Sequence, residues 1–192
     1  MKFEEFSHII ISVVTVSIAF AIAWTGMTEF TPEFASVFVL ILVTVGSGFI
    51  LHELAHKYVA IRYGAYAEYR SWTLGLVLSV AMAAFLGFVF AAPGAVYIYG
   101  RNLTKEQNGK IALAGPATNA VLAVVFIAIA FFEPSLSGLA KTGASVNAFL
   151  GLFNLIPIFP LDGSKILAWN SRVWLATAAV LASLLFLLPP GF

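Results

Sequence analysis

One short segment of the chain carries three side chains that together can hold and use a metal ion. It reads His52-Glu53-Leu54-Ala55-His56, an H-E-x-x-H pattern. On a helix the two histidines lie one turn apart on the same face, so both imidazoles can bind one metal. Glu53 lies beside them, where it can take a proton from a water activated by that metal. The pattern also occurs by chance in soluble helices, but three polar groups inside an apolar run indicate a function.

A catalytic zinc site needs one more ligand than this segment offers, because such sites use three protein ligands and a water. The chain has no cysteine, and its remaining histidine, His8, lies near the start of the first apolar run. The glutamates outside the motif fall in tails, loops or span ends (Glu4, Glu5, Glu29, Glu33, Glu68, Glu106 and Glu133). Asp162 is the only aspartate. An aspartate before a glycine is commonly a turn residue, but the missing ligand makes Asp162 the predicted third one.

The composition places these residues in a membrane. Of the 192 residues, 61% are hydrophobic and 10% charged, with a mean hydropathy of +0.98, whereas a soluble domain is about 25% charged. The net charge is +1 and there is no basic stripe, which excludes the nucleic-acid-binding class. The length predicts one integral membrane domain over residues 1–192, without room for a further soluble domain.

The apolar runs predict an all-α multi-pass membrane protein with about five to six transmembrane helices. A secretory signal is an alternative for the first run, but Glu4 and Glu5 close to Lys2 favour an uncleaved span. Thr31 followed by Pro32 predicts the start of the second helix, and Thr104 and Gln107 have the spacing of a capping box. The runs cover residues 8–24, 35–59, 72–98, 111–132, 145–161 and 173–188.

Three motifs together resemble the site-2 protease family of intramembrane zinc metalloproteases, over a core of about residues 35–165. They are the H-E-x-x-H segment, the stretch Gly115-Pro116-Ala117-Thr118-Asn119, and the stretch that runs from Asn154 to Asp162-Gly163. Asn119 matches a polar position that lines the site in this family.

The resemblance implies a role for each motif residue. His52, His56 and Asp162 would bind one Zn²⁺, and Glu53 would activate water. Asn154 would hold the substrate or the oxyanion, although capping the backbone freed by a nearby proline is an equally good reading. The implied activity is peptide hydrolysis within or near transmembrane segments. The implied partners are a membrane-protein substrate, expected to be single-span, and the lipid bilayer of the cell membrane.

The run 72–98 decides whether the predicted ligands can meet. If it crosses the membrane once, the histidines and Asp162 end near opposite faces, too far apart for ligand bonds of about 2 Å. If it enters and leaves on one side, Asp162 returns to the histidines. We therefore expect a re-entrant segment, either a helical hairpin or a helix followed by a strand over 89–99, with its turn at Pro93-Gly94. Two short full crossings would satisfy the same condition.

The basic residues favour the same layout. A re-entrant segment leaves Lys141 alone on the outer side, whereas a full crossing puts five of the ten basic residues on each side. Basic residues concentrate in cytoplasmic loops, so we expect the active site toward the cytoplasmic side. The inner residues are then Lys2, Lys57, Arg62, Arg70, Arg101, Lys105, Lys110, Lys165 and Arg172.

Other readings stay open beside intramembrane proteolysis. A divalent-metal transporter needs no glutamate beside its ligands and often carries an inverted repeat, which is not seen here. A non-catalytic scaffold that binds membrane helices is a further alternative. Another class of zinc protease would use Glu68 or Glu106 as its third ligand.

For the protease reading, a strand edge near Tyr97 is also predicted to pair with an unwound substrate. The sequence indicates no oligomeric state.

Overall fold

The computed structural model describes residues 3–26, 31–89, 93–99 and 102–187, and most of them are helical. This agrees with the predicted helical class. The elements are α1 (Phe3–Thr25), α2 (Pro32–Ile41), a π-helical turn (Leu42–Gly46), α3 (Ser47–Arg62), β1 (Tyr66–Ser71), α4 (Thr73–Leu86), β2 (Gly94–Tyr99), α5 (Lys105–Phe132), a 3₁₀ turn (Pro134–Leu136), α6 (Ser137–Asn154), α7 (Asp162–Trp169) and α8 (Ser171–Leu187).

Three of the described helices are long and apolar enough to cross a membrane. They are α1, the continuous helix Pro32–Arg62 that joins α2 to α3, and α5, while α4 and α8 are shorter apolar helices. These helices agree with a membrane protein. The number of five to six spans stays a prediction.

The helix that carries the metal motif begins where the sequence signals indicate. Thr31 is its N-cap, and its Oγ1 accepts a hydrogen bond of 3.1 Å from the Phe34 N–H. Pro32 follows in the first turn, where its missing N–H has no cost. The π-helical turn Leu42–Gly46 interrupts the regular spacing before α3. Such widened turns are rare and are often found near functional sites.

The chain forms two compact units. The first consists of the residues up to Ile50 together with Ala67–Tyr97. In its core, the small residues Ala19, Ala21 and Ala83 are buried with larger apolar side chains. Small side chains let helix backbones approach each other closely, which brings α1 against α2 and α4.

The predicted re-entrant stretch lies in this first unit, and it folds as a helix followed by a strand. The helix α4 has 14 residues, about 21 Å, which is short of the about 30 Å hydrocarbon core. The Trp72 N–H donates to the Pro93 carbonyl oxygen at 2.9 Å. The chain therefore returns to the place that it left after β1.

Two details of the sequence prediction for this stretch are wrong. Gly87, with a φ of +64°, ends α4 in the left-handed conformation that glycine adopts at low cost. Gly94 is the first residue of β2, so Pro93-Gly94 does not form the turn of the segment and the strand does not begin at residue 89. The partner strand β1 was not predicted at all, because its short mixed sequence lacks a clear alternating pattern.

The second unit contains Leu51–Tyr66 and the chain from Ile98 onward. Thr104 and Gln107 form the capping box predicted at the start of α5. The helix α6 begins at Ser137 and ends at Asn154, so the predicted run 145–161 covers only its second half and the turns after it. The short helix α7 was not predicted. It packs close to α5, where a Cβ on Gly109 would overlap the Trp169 side chain.

Candidate metal centre

The two histidines of the motif lie side by side on the face of α3 that is turned into the second unit. Their side chains are almost fully buried, with 4% of His52 and 8% of His56 exposed. The ring centroids lie 4.6 Å apart and the ring planes cross at 85°. The spacing of one helical turn therefore brings the imidazoles together as the sequence predicts.

Asp162 meets both histidines from the first turn of α7. Its Oδ2 lies 3.3 Å from the His52 Nε2 and 3.1 Å from the His56 Nε2. The residue is 7% exposed, and a carboxylate is favourable at the positive end of a helix dipole. Within the described parts of the chain these three residues form the one group of His, Cys, Asp and Glu that could hold a metal ion.

The distances from the Asp162 oxygen to the two imidazole nitrogens suit a tetrahedral zinc ion. Two ligand atoms that each lie about 2.0–2.1 Å from a tetrahedral metal are about 3.3 Å apart. The Asp162 oxygen lies 3.3 Å and 3.1 Å from the two Nε2 atoms, close to that value. Two imidazole nitrogens and a carboxylate oxygen also form a donor set that zinc accepts, and three protein ligands leave a fourth position for water.

Backbone and side-chain acceptors orient both imidazoles toward Asp162. The His56 Nδ1 lies 2.7 Å from the carbonyl oxygen of Ile111, an atom that only accepts, so Nδ1 carries the proton. The His52 Nδ1 lies 2.6 Å from the Asn119 Oδ1. With Nδ1 protonated, Nε2 keeps its lone pair free for a metal.

Gly115 makes room for the two rings. A Cβ at this position of α5 would overlap the Nε2 atoms of both His52 and His56. In the sequence, Gly115 stood only as part of one of the three family motifs. In the structure, the close approach is that of α5 to the ligand side chains.

The two predicted catalytic residues lie on different helices, Glu53 on α3 beside the histidines and Asn154 on α6. Glu53 follows His52 on α3 and is half-buried. Asn154 is the last residue of α6 and is also half-buried, and its Nδ2 donates to the Leu150 carbonyl oxygen at 3.0 Å. This bond uses one of the two Nδ2 hydrogens and stays within α6, and the capping of the backbone freed by Pro157 stays a prediction.

The glutamates of the rival ligand set are engaged elsewhere. Glu68 belongs to β1 in the first unit, and its Oε1 lies 3.5 Å from the Arg70 guanidinium. Glu106 is exposed in the first turn of α5, where its carboxylate pairs with Lys110 at 2.6 Å. Asp162 remains the carboxylate that meets the histidines.

Comparisons with known proteins agree with the motifs. The sequence pattern of peptidase family M50 matches residues 38–142 of this chain, more than half of its length. The chain belongs to peptidase family M50. The predicted resemblance to the site-2 protease family is thereby confirmed, and this M50 member is a zinc metalloprotease, a hydrolase with Zn²⁺ as its cofactor. Its family and its apolar helices assign it to a membrane.

Similar proteins named as zinc metalloproteases occur in archaea and bacteria. A protein of Methanocaldococcus jannaschii, provisionally named a zinc metalloprotease, is 45% identical over 177 residues, which cover 90% of this chain and 89% of the relative. A second zinc metalloprotease of that archaeon is 33% identical over 69% of this chain, which spans 33% of that longer protein. Rip2 of Mycolicibacterium smegmatis, also provisionally named a zinc metalloprotease, is 33% identical over 74% of this chain and 62% of its own length. No solved structure matches the chain significantly.

Sequence reasoning missed two parts of this M50 centre. The family match ends before Asp162, and nothing in the sequence indicated the helix α7 that carries it. Asn147, which lies on α6 and contacts Asn119, was also missed. The available signal was the polar amide side chain of Asn147 inside an apolar run, because such a side chain is unusual at membrane depth.

Proposed function

We propose that this M50 peptidase hydrolyses peptide bonds within or near the transmembrane segments of membrane-protein substrates. It would do so as one integral membrane domain, with His52, His56 and Asp162 holding the zinc ion. The observation that carries the proposal is the buried contact of the Asp162 carboxylate with both imidazoles, and the helix that carries the two histidines is long and apolar enough to cross a bilayer.

The position of the motif along its helix supports a site below the membrane surface. Residues 34–51 include no charged side chain, and 18 helical residues extend about 27 Å, nearly the thickness of the hydrocarbon core. His52 and Glu53 follow directly, before Lys57 and Arg62. The motif therefore lies at the end of the helix where basic residues collect, which favours the cytoplasmic side.

The chemistry follows from the donor set and its neighbours. A bound zinc ion polarises a carbonyl group and lowers the pKa of water toward about 7. Glu53 takes the proton of the attacking water and passes it to the leaving amine. Asn154 donates its second Nδ2 hydrogen to the oxyanion, a contribution worth about 2.7–4 kcal/mol in other enzymes.

The described ends of the segment that begins at Trp72 and reaches Pro93 support the re-entrant layout. The hydrogen bond between Trp72 and Pro93 holds the two ends of the segment at the same depth, and α4 is too short to cross the hydrocarbon core by itself. Within this layout the ends of α3 and α6 reach the same side of the membrane, as a shared metal site requires.

A substrate must present an extended backbone, because a helix keeps its carbonyl groups in its own hydrogen bonds. The contacts of Trp72 with Pro93 and of the Tyr66 ring with the Tyr99 ring make β1 and β2 antiparallel. In this register the Tyr97 N–H faces β1 and the Val96 N–H faces the outer edge of β2. That edge carries no further strand among the described residues, so it is the proposed pairing site for an unwound single-span substrate.

The test is cleavage of single-span substrates by the purified protein in liposomes, with products mapped by mass spectrometry. Wild-type protein should cut within or next to the apolar segment. Glu53→Gln should lose cleavage by about 10²-fold or more and keep one zinc per chain. Glu106→Gln, which changes an exposed carboxylate on α5, is the matched control and should cleave normally.

Two results would count against the proposal. Equal cleavage by Glu53→Gln and wild type would remove the assigned base. Cuts only in soluble regions, far from the apolar segment, would leave a metalloprotease without the intramembrane specificity.

A further inference from the structure

Two fully buried asparagines connect His52 to the backbone of α6. Neither Asn119 nor Asn147 has any exposed surface. The Asn119 Oδ1 lies 2.6 Å from the His52 Nδ1, and the Asn119 Nδ2 donates to the Asn147 Oδ1 at 3.0 Å. The Asn147 Nδ2 then donates to the carbonyl oxygen of Gly143 at 2.8 Å. The row therefore runs from an imidazole through two amides to a backbone carbonyl.

The last member determines the direction of every bond in the row. A backbone carbonyl oxygen can only accept, so Asn147 must turn its NH₂ group toward Gly143. Its oxygen then faces Asn119, which must donate in turn and present its own oxygen to His52. The His52 Nδ1 is left to donate, and the lone pair of Nε2 faces Asp162.

The two imidazoles thus reach the same state by different routes. His56 donates directly to the Ile111 carbonyl oxygen, whereas two amide side chains lie between His52 and the Gly143 carbonyl oxygen. A polar side chain at membrane depth is costly, and this cost is offset only when its bonds are satisfied. An apolar residue at position 147 would avoid the cost of burying a polar side chain, but the hydrogen bond between Asn119 and His52 would no longer have a fixed direction.

We propose that Asn147 is a positioning residue for the metal centre, which acts through Asn119 to hold His52 in the tautomer whose Nε2 can bind zinc. The inference rests on the proposed metal site and extends it to a residue that lies two hydrogen bonds away. Asn147 does not touch the metal or the substrate, so its effect must appear at His52 and leave His56 unaltered.

The experiment measures the two histidines separately in the full chain in detergent micelles. The chain has three histidines, so ¹⁵N-histidine labelling gives a spectrum that can be assigned. Exchange of each Nδ1–H with water and the zinc affinity, from competition with a chelator, are measured for wild type, Asn147→Leu and Asn147→Asp. Thr142→Val is the control, since it removes only a bond to the backbone of the same helix.

Asn147→Leu should speed exchange of the His52 Nδ1–H by at least about tenfold and weaken zinc binding about 10–100-fold, the usual range for partners of metal ligands. The His56 Nδ1–H should exchange as in wild type. Asn147→Asp should keep His52 protected, because a protonated carboxyl group at this buried position donates to the Gly143 carbonyl oxygen and still accepts from Asn119. Asn147→Ala provides the same comparison if leucine prevents folding.

The proposal would be overturned if the His52 Nδ1–H exchanged at the same rate in Asn147→Leu and in Thr142→Val. It would also be overturned if Asn147→Leu raised the exchange rates of the His52 and His56 Nδ1–H groups equally. Spectra recorded with and without zinc separate this failure from that of the proposed function. If the wild type bound no zinc, or Asp162→Ala bound it equally well, the metal site would fail, while protection of His52 in the metal-free spectra would still report on the row of asparagines.

Discussion

Gly115→Ala should damage the metal centre although it adds one methyl group to a helix that favours alanine. By helix propensity alone, the change would stabilise α5 by about 1 kcal/mol. The added Cβ, however, would lie 2.5 Å from the His56 Nε2, and ordinary contact begins at 3.4 Å. Removing the overlap requires a shift of about 0.9 Å, whereas metal ligands tolerate about ±0.2 Å.

The expected loss follows from that displacement. A misplacement of about 1 Å in an active site costs about 10²-fold in rate, so cleavage of a single-span substrate should fall by about that factor and zinc binding should weaken with it. Zinc per chain, by atomic emission, and initial cleavage rates in liposomes are the measurements.

Gly138→Ala is the matched control, because nothing lies within 4 Å of a Cβ at that position of α6. It should keep normal zinc content and rate. If Gly115→Ala behaved like Gly138→Ala in both assays, the close approach of α5 to the histidines could not be what shapes the centre.

Three further predictions test other parts of the structure. The wild type should hold about one zinc per chain, and Asp162→Ala should lose most of it, as measured by atomic emission. A full zinc content in this variant would disprove the assignment of Asp162 as the third ligand. Val96→Pro removes an N–H from the outer edge of β2, so it should slow cleavage without loss of zinc; unchanged rates in the same assay would argue against substrate pairing there. Gly109→Ala would overlap the Trp169 side chain and should lower the thermal unfolding temperature, with about 1–3 kcal/mol of overpacking cost; an equal or higher temperature would contradict the close packing of α5 and α7.

Local signals in the sequence predicted the parts of the structure that depend on neighbouring residues. The N-cap Thr31 and the capping box of Thr104 and Gln107 lie where the helices begin, because a cap needs only the three residues after it. The spacing of His52 and His56 placed two imidazoles together for the same reason. The strand β1 and the helix α7 escaped prediction, since short elements take their form from the surface on which they pack.

By itself, the sequence determined a membrane protein with a two-histidine metal motif, because composition and one-turn spacing are local properties, and the resemblance of its three motifs implied the metalloprotease activity. It also indicated Asp162, through the absence of any better third ligand. Only the tertiary structure decided how the three predicted ligands meet: Asp162 approaches on α7, a glycine at position 115 leaves space for the rings, and Asn147 lies behind Asn119. These contacts join residues that are far apart in the chain, and their geometry depends on how the helices pack, which no local pattern encodes.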